Sequence, residues 1–384
     1  MEKLNIKNFG PISEAEIEVK KYTLLIGDTS TGKSIIAKLL CVFRGIILNG
    51  IKNVAELTNE LNKYDIPYLS NDTKLLYNVA DYSIAIDKKD IQTNLPLISL
   101  SEFEDKLKKV EEMKQIVTTS EKLEKDLLNE LNGLLSDIDI FKERIRKMRK
   151  EASLYIPAER MFFSMLGSSI AGLWANNIKI SKAFIDFAAH YEVAKSTISE
   201  LKYSPLNFTY HNRKEEEYIL YLDKKIDLKY TSSGIQAMLP LILVLNAISQ
   251  KDYLTMICIE EPEISLFPNR QKELLEYIIS KVNNVDASVV ITTHSPYVLS
   301  AFNNMMLASN TAKEKEERKE EIKNIISEDK WIRYEDVSAY EVKDGKVISL
   351  LDEEFKGLDV NAIDKVSDII TEQVDQLISI RYEE

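Results

Sequence analysis

The strongest constraint on this chain is the segment Gly27-Asp28-Thr29-Ser30-Thr31-Gly32-Lys33-Ser34, which fits the phosphate-binding pattern G-x-x-x-x-G-K-[ST]. The apolar residues 22–26 before it predict a buried strand, and residues 34–40 after it predict a helix. In this context loop N–H groups and the helix N-terminus bind phosphate. We therefore predict a nucleotide site from Gly27 to Ile35, in which Lys33 reaches the β- and γ-phosphates and Ser34 ligates Mg²⁺.

Two later apolar runs end at residues suited to a nucleotide site. Residues 254–259 close on Glu260 and Glu261, and residues 289–293 close on His294. Ligands of open α/β sheets lie where such strands end. We expect Glu260 to hold Mg²⁺, directly or through water, and Glu261 to orient and polarise the attacking water. His294 is expected to contact the γ-phosphate or that water.

A third segment, Thr231-Ser232-Ser233-Gly234-Ile235-Gln236, precedes an apolar helix predicted over residues 237–245. Small residues at a helix start leave N–H groups free to bind an anion, although a plain N-cap is the simpler interpretation. Together the four motifs resemble those of ABC-type ATPases of the SMC, RecF and OLD kind. The resemblance covers roughly residues 1–50 and 150–302.

That resemblance implies an α/β fold, namely a P-loop NTPase head of ABC type with an antiparallel β lobe and a helical insertion. It implies a split head over residues 1–50 and 150–310, with a helical insertion over 51–149 that forms a short coiled coil or dimerisation cap. Residues 311–384 are expected to complete the head with a hairpin and helices. In relatives of this kind two heads close head to tail, so Ser233 and Gly234 would contact the ATP of the partner.

Two departures from the family pattern bear on activity. Ile235 replaces the second signature glycine, which affects close backbone approach to the phosphate, and Glu260 replaces the commoner Asp. The run Glu-Glu-Pro-Glu at residues 260–263 resembles the OLD-like branch. Arg160, in an element common to that branch, is expected to touch nucleotide, touch the dimer partner or form a surface salt bridge.

Periodicity places the remaining elements. Strands are predicted over residues 4–7 and 15–19, with three more over residues 206–230 that would complete the antiparallel lobe. Helices are predicted over residues 100–150 and 163–200. The pair Asp344-Gly345 predicts a hairpin turn.

Composition narrows the class of protein. The 384 residues are 45% hydrophobic, and a net charge of −12 argues against a constitutively DNA-coated protein. The sequence has no run of 18 apolar residues, so no membrane contact is expected. Cys41 and Cys258 lie in apolar segments and predict reduced core residues of a cytoplasmic protein. The basic run at residues 142–150 binds phosphate backbone, binds an acidic partner or is a solvated helix face.

The favoured hypothesis is an ATPase switch subunit that binds ATP and Mg²⁺ and forms a homodimer or higher oligomer. No Asp-x-Asp on an apolar strand follows His294, so we expect no Toprim nuclease in the chain. The switch would instead control a separately encoded effector, a nuclease or toxin. Small OLD-like ATPases of antiphage systems, such as the Septu and PARIS types, are similar in plan. Two alternatives stay open: a RecF-like repair ATPase that binds DNA directly, and a scaffold that holds ATP without hydrolysing it.

Overall fold

An eleven-stranded mixed sheet organises the computed structural model, which describes residues 2–51, 53–87, 90–94, 108–110, 112, 133, 152–166, 180–213, 216–248, 254–359 and 372–376. In chain order the described strands are β1 (Glu2–Phe9), β2 (Ile12–Val19), β3 (Tyr22–Ile26), β4 (Lys74–Val79), β5 (Tyr82–Asp87), β6 (Asp90–Thr93), β7 (Ala152–Ile156), β8 (Glu200–Tyr203), β9 (Phe208–Arg213), β10 (Glu216–Tyr221), β11 (Lys224–Asp227), β12 (Leu254–Glu260), β13 (Ser288–Thr293), β14 (Val337–Lys343), β15 (Lys346–Ser349), β16 (Leu351–Asp352) and β17 (Gly357–Leu358). The strand order across the large sheet is β6-β5-β4-β1-β2-β15-β14-β3-β13-β12-β7.

Helices cover both faces of this sheet. The described α-helices are α1 (Lys33–Asn49), α2 (Val54–Lys63), α3 (Met161–Leu166), α4 (Lys182–Thr197), α5 (Ser233–Ile248), α6 (Pro268–Asn283), α7 (Pro296–Glu314) and α8 (Lys319–Ile325). Alternate residues of a strand face opposite sides. Leu24 and Ile26 therefore pack in the core that holds α5, α6 and α7. Leu25 packs in the core that holds α1 and α2. The predicted α/β fold is confirmed.

The parallel half of the sheet brings the carboxyl ends of its central strands to one edge. All five residues of β3 are buried, as expected for a strand covered on both faces. Ile26 at its end pairs with Thr293 on β13, and Thr292 pairs with Glu260 on β12. The P-loop, the two predicted acids and the residues before His294 thus meet at this edge.

The hairpin β14–β15 joins this parallel half to the antiparallel half. Asp344 and Gly345 at its turn have φ values of 48° and 74°, the left-handed pair that a tight hairpin turn requires. The carbonyl of Gly345 accepts hydrogen bonds from the N–H groups of Ser13 (2.8 Å) and Glu14 (3.1 Å). The hairpin predicted around this turn is confirmed, and it separates β2 from β3 within the sheet.

Residues 74–93 correct the expectation of a wholly helical insertion over residues 51–149. They form β4, β5 and β6, which extend the sheet beyond β1. The reason is a two-residue alternation: Leu75, Tyr77 and Val79 are buried and the residues between them are more exposed. Because that period suits a strand, the segment pairs with β1. The helical prediction for residues 100–150 falls almost entirely outside the described residues.

A second correction concerns the three strands predicted over residues 206–230. They exist as β9, β10 and β11, but with β8 they form a separate four-stranded antiparallel sheet of order β11-β10-β9-β8. Phe208, Tyr210 and Ile219 of this sheet are buried in the core that also contains α4 and α5. The antiparallel lobe of the large sheet is completed by β4–β6 instead. Helix α4 lies within the helix predicted over 163–200, of which residues 167–179 are outside the described part.

Both cysteines lie in the core and are reduced, as predicted. Cys41 and Cys258 are free thiols in the core between α1 and β12, and their Sγ atoms are 3.5 Å apart. Among the described residues, no helix is both long enough and apolar enough to cross a membrane.

Candidate functional site

Close backbone packing explains both glycines of the P-loop. Gly27 has a φ of 156°, and a Cβ there would lie 2.3 Å from the carbonyl oxygen of Val342. Gly32, directly before α1, has a φ of 108°, and a Cβ there would lie 2.9 Å from a side-chain carbon of Ile12. Protein atoms thus occupy the space that a side chain at either position would need, so both positions require glycine.

The Lys33 ammonium lies across the P-loop. Its Nζ donates to the carbonyl oxygens of Gly27 (3.0 Å) and Asp28 (2.7 Å), and Lys33 is only 4% exposed. Burial lowers the pKa of Lys33, while the nearby carboxylates of Glu261 and Asp28 act to raise it. A cation held in the middle of the loop is suited to meet a polyphosphate there.

Three predicted catalytic residues form one hydrogen-bonded chain. Nζ of Lys33 lies 3.3 Å from Nδ1 of His294, and Nε2 of His294 lies 2.8 Å from a carboxylate oxygen of Glu261. An ammonium can only donate, so Nδ1 is the acceptor and Nε2 carries the proton that is donated to Glu261. The His294 ring thus lies between the Lys33 ammonium and the Glu261 carboxylate.

The two acids at the end of β12 differ in their surroundings. One carboxylate oxygen of Glu260 accepts from the Tyr155 hydroxyl (2.7 Å) and from the N–H of Ala158 (3.4 Å). Glu261 has a left-handed φ of 41°, and its N–H donates to the carbonyl of Thr292 (2.9 Å). Burial raises the pKa of Tyr155 well above its usual range, so the phenol remains a donor to Glu260. The sequence analysis missed Tyr155, which carries no motif of its own.

Glu263 is a site residue that the motifs did not identify. It is 8% exposed, and its Oε1 accepts from the Thr293 hydroxyl (2.5 Å) and from the N–H of His294 (2.9 Å). Burial raises the pKa of this carboxyl. Its hydrogen bonds fix the backbone from which His294 projects. Its place in the Glu-Glu-Pro-Glu run was the available signal.

Arg160 has none of the three roles expected of it. Its side chain is fully buried and donates to five backbone carbonyls, those of Pro157, Ala237, Glu260, Glu261 and Pro262. Burial lowers its pKa to about 10, so it remains charged at neutral pH. It therefore lies behind the acidic turn rather than on the surface, because that turn offers carbonyls that match its donors.

The segment at the start of α5 caps the helix and packs closely. The Ser232 hydroxyl accepts from the N–H of Ile235 (3.5 Å), and Ser233 is exposed. A Cβ at Gly234 would lie 2.9 Å from the carbonyl of Ser265, so this glycine is needed for close packing. The plain N-cap is therefore present. The role of Ser233 and Gly234 toward a partner's ATP stays a prediction.

The arrangement fits a magnesium nucleotide. Ser34 lies half-buried in the first turn of α1, and Glu260 lies two strands away at the same edge. Among the described residues no group of three or more His, Cys, Asp or Glu side chains forms a metal cluster. Mg²⁺ at phosphate sites needs only one or two carboxylates beside the phosphates. The role of Ser34 and Glu260 as magnesium ligands stays a prediction.

A family model identifies the class of domain. The family model AAA_15, described as an AAA ATPase domain, matches residues 48–299. The chain is similar at 11% identity to the Smc head domain of Pyrococcus furiosus with an extended coiled coil, bound to the C-terminal domain of ScpA (TM-score 0.40; 96% of this chain, 100% of that one). It is similar at the same identity to an SmcHead bound to the C-winged helix domain of ScpA (TM-score 0.40; 92% and 98%). The SMC head domain of Thermotoga maritima is also similar (11% identity; TM-score 0.36; 78% and 90%). No curated protein matches the chain.

Proposed function

The chain belongs to the AAA ATPase domain family, and from this premise we propose that it binds ATP with Mg²⁺ and hydrolyses it at the edge described above. One observation carries the proposal: Lys33, His294 and Glu261 come from three separate motifs and form one hydrogen-bonded chain at the P-loop. A phosphate-binding cation and a residue that positions the attacking water are recurring parts of phosphoryl transfer to water.

Each of these residues has a distinct task. Lys33 exchanges its loop carbonyls for the phosphates of ATP, which accept from an ammonium more strongly than neutral carbonyls do. Glu261 orients the attacking water and accepts its proton, because His294 holds one carboxylate oxygen and leaves the other available. Mg²⁺, held by Ser34 and Glu260, would offset the charge of the phosphates.

The substitution Glu261→Gln tests hydrolysis. It keeps the shape of the side chain but removes the proton acceptor, so we expect phosphate release to fall by about 10²–10⁴-fold. Binding of a fluorescent ATP analogue should be retained, since Lys33 and the glycines are unchanged. Glu159→Gln is the matched control, because Glu159 is exposed beside the site. A Glu261→Gln protein that hydrolyses ATP at the wild-type rate, or a wild-type protein with no ATPase activity, would contradict the proposal.

We further propose that two heads close head to tail around ATP, with Ser233 and Gly234 facing the partner's nucleotide. The exposure of Ser233 at the start of α5 supports this role. With ATP and Mg²⁺, Glu261→Gln should become a dimer in light scattering after gel filtration. Adding Ser233→Arg should leave that protein monomeric but still able to bind ATP. If Glu261→Gln stays monomeric at saturating ATP, the head-to-tail arrangement is wrong.

Control of a separate effector in antiphage defence is proposed on the resemblance to stand-alone OLD-like ATPases. The test is capture of tagged Glu261→Gln from its native host with ATP and Mg²⁺, followed by mass spectrometry. A nuclease or toxin recovered in stoichiometric amount would support the effector role. Recovery of DNA with repair factors, and of no such effector, would favour the RecF-like alternative.

A further inference from the structure

Arg160 connects the acidic turn after β12 to the helix that begins with the signature segment. Three of its five hydrogen bonds end on the turn, at the carbonyls of Glu260 (2.8 Å), Glu261 (2.9 Å) and Pro262 (3.1 Å). A fourth ends on α5, at the carbonyl of Ala237 (2.9 Å). We propose that Arg160 is a positioning residue, which holds Glu261 in its hydrolytic position and fixes that position relative to α5. This inference rests on the proposed ATPase function.

The turn needs such support because of its backbone conformation. Glu261 adopts a left-handed φ of 41°, which a residue with a side chain rarely occupies unless its surroundings hold it there. The Glu261 N–H is held by Thr292, and its carbonyl is held by Arg160. The two contacts restrain both sides of the residue, so the carboxylate starts from a defined point. Loss of the Arg160 contact would release one of them.

A proline in α5 frees the carbonyl next to the one that Arg160 contacts. Pro240 has no N–H, so the carbonyl of Gln236 four residues earlier lacks its usual helical partner. The Ser164 hydroxyl donates to that carbonyl (2.8 Å), and Arg160 donates to the next carbonyl, that of Ala237. Residues 160–164 thus dock on the helix at this interruption. Arg160 also reaches the turn, whereas the Ser164 hydroxyl donates to the helix.

Only arginine supplies this pattern of donors. A guanidinium presents five N–H groups in a planar fork, and five carbonyls accept from Arg160. A lysine would keep the positive charge behind Glu260, Glu261 and Glu263 but has three donors at a single point. The substitution Arg160→Lys therefore keeps the positive charge but removes the planar set of donors, so it tests the hydrogen bonds separately from the charge.

The experiment compares Arg160→Lys with Ser164→Ala in the full chain. We expect Arg160→Lys to lower kcat by about 10- to 100-fold, since small displacements of reacting groups have effects of this size. Its Kd for a fluorescent ATP analogue should stay within about twofold of wild type, because the P-loop is untouched. Ser164→Ala frees the Gln236 carbonyl and leaves the contacts of Arg160 to the turn in place, so its kcat should stay within about threefold. The kcat of Ser164→Ala therefore shows the effect of weakening the contact with α5 while the contacts of Arg160 to the turn remain.

Three results would overturn the inference. The first is an Arg160→Lys protein that folds and keeps the wild-type kcat. The second is an equal loss of kcat in Ser164→Ala, which would assign the effect to helix docking. The third is failure of both Arg160→Lys and Arg160→Gln to fold, which would assign Arg160 to stability alone.

Failure of the proposed ATPase function is distinguishable from these results. If the wild-type protein does not hydrolyse ATP, amide hydrogen exchange over residues 260–264 replaces kcat as the readout. Faster exchange in Arg160→Lys than in Ser164→Ala would support the positioning role. Equal exchange in the two variants would overturn it.

Discussion

Replacement of Glu263 tests whether a buried carboxyl orients His294. In Glu263→Ala, the Thr293 hydroxyl and the His294 N–H lose their shared acceptor. Each buried donor left unpaired costs about 1–3 kcal/mol, so the pair costs about 2–6 kcal/mol of unfolding free energy. Glu263→Gln retains an oxygen for both donors and should stay within about 1 kcal/mol of wild type at pH 5. The difference in unfolding free energy between the two variants therefore measures the contribution of the acceptor oxygen at residue 263.

The pH dependence of the same comparison has a defined sign. Because burial raises the pKa of Glu263 above its unfolded value, the folded state retains the proton more strongly than the unfolded state does. The stability from this group is complete below the unfolded pKa and is lost as pH rises through the folded pKa. Glutamine does not titrate. Glu263→Gln should therefore gain stability relative to wild type as pH is raised from 5 to 8.

The assay is urea-induced unfolding followed by circular dichroism at pH 5, 6, 7 and 8, combined with phosphate release at pH 7. The exposed Glu354→Gln is the control for charge removal. The reasoning fails if the Ala and Gln variants unfold at the same urea concentration. It also fails if Glu263→Gln loses stability relative to wild type as pH rises. Hydrolysis should fall in Glu263→Ala, because the His294 backbone is no longer held.

Two further predictions concern Lys33 and the Arg44–Glu2 pair. Burial lowers the pKa of Lys33 in the free protein and a bound polyphosphate raises it, so ATP binding at alkaline pH should take up a proton. Calorimetry in buffers of different ionisation enthalpy measures that uptake, and it should disappear in Lys33→Ala. Arg44→Met leaves the buried Glu2 carboxylate without the guanidinium that donates to it (Nε to Oε1, 3.1 Å). It should lower the unfolding free energy by about 3–5 kcal/mol, while the double variant Glu2→Gln/Arg44→Met recovers most of that loss in the same urea assay.

The sequence predicted the central architecture because its signals are local. The glycines of the P-loop, the apolar run of β3 and the acids after β12 each occupy a short segment, and their order along the chain implies one sheet edge. The signal for the hairpin at Asp344-Gly345 is equally local, since two adjacent residues with positive φ define its turn. Such motifs can be identified without knowledge of the tertiary contacts around them.

The remaining features depend on contacts between distant segments. Arg160 looked like a surface or ligand residue, because nothing near it in sequence shows that the carbonyls of Ala237 and Glu261 converge on it. Strand β4 was assigned to a helical insertion, although Leu75 and Tyr77 alternate as a strand requires. The family resemblance implies a helical insertion here, whereas the two-residue alternation of buried side chains indicates a strand. The contact between Tyr155 and Glu260 leaves no trace in the sequence.

The position of the β14–β15 hairpin has a consequence for biosynthesis. Thr23 on β3 meets Ser338 on β14 across a sequence separation of 315 residues, which a ribosome covers in roughly 15–60 s at typical elongation rates. Until then β3 has an open apolar edge on the nascent chain, the kind of edge that attracts wrong partners. Gly27 also lacks the carbonyl of Val342 beside it. A prematurely terminated product that ends before β14 therefore lacks the strand that pairs with β3 directly before the P-loop.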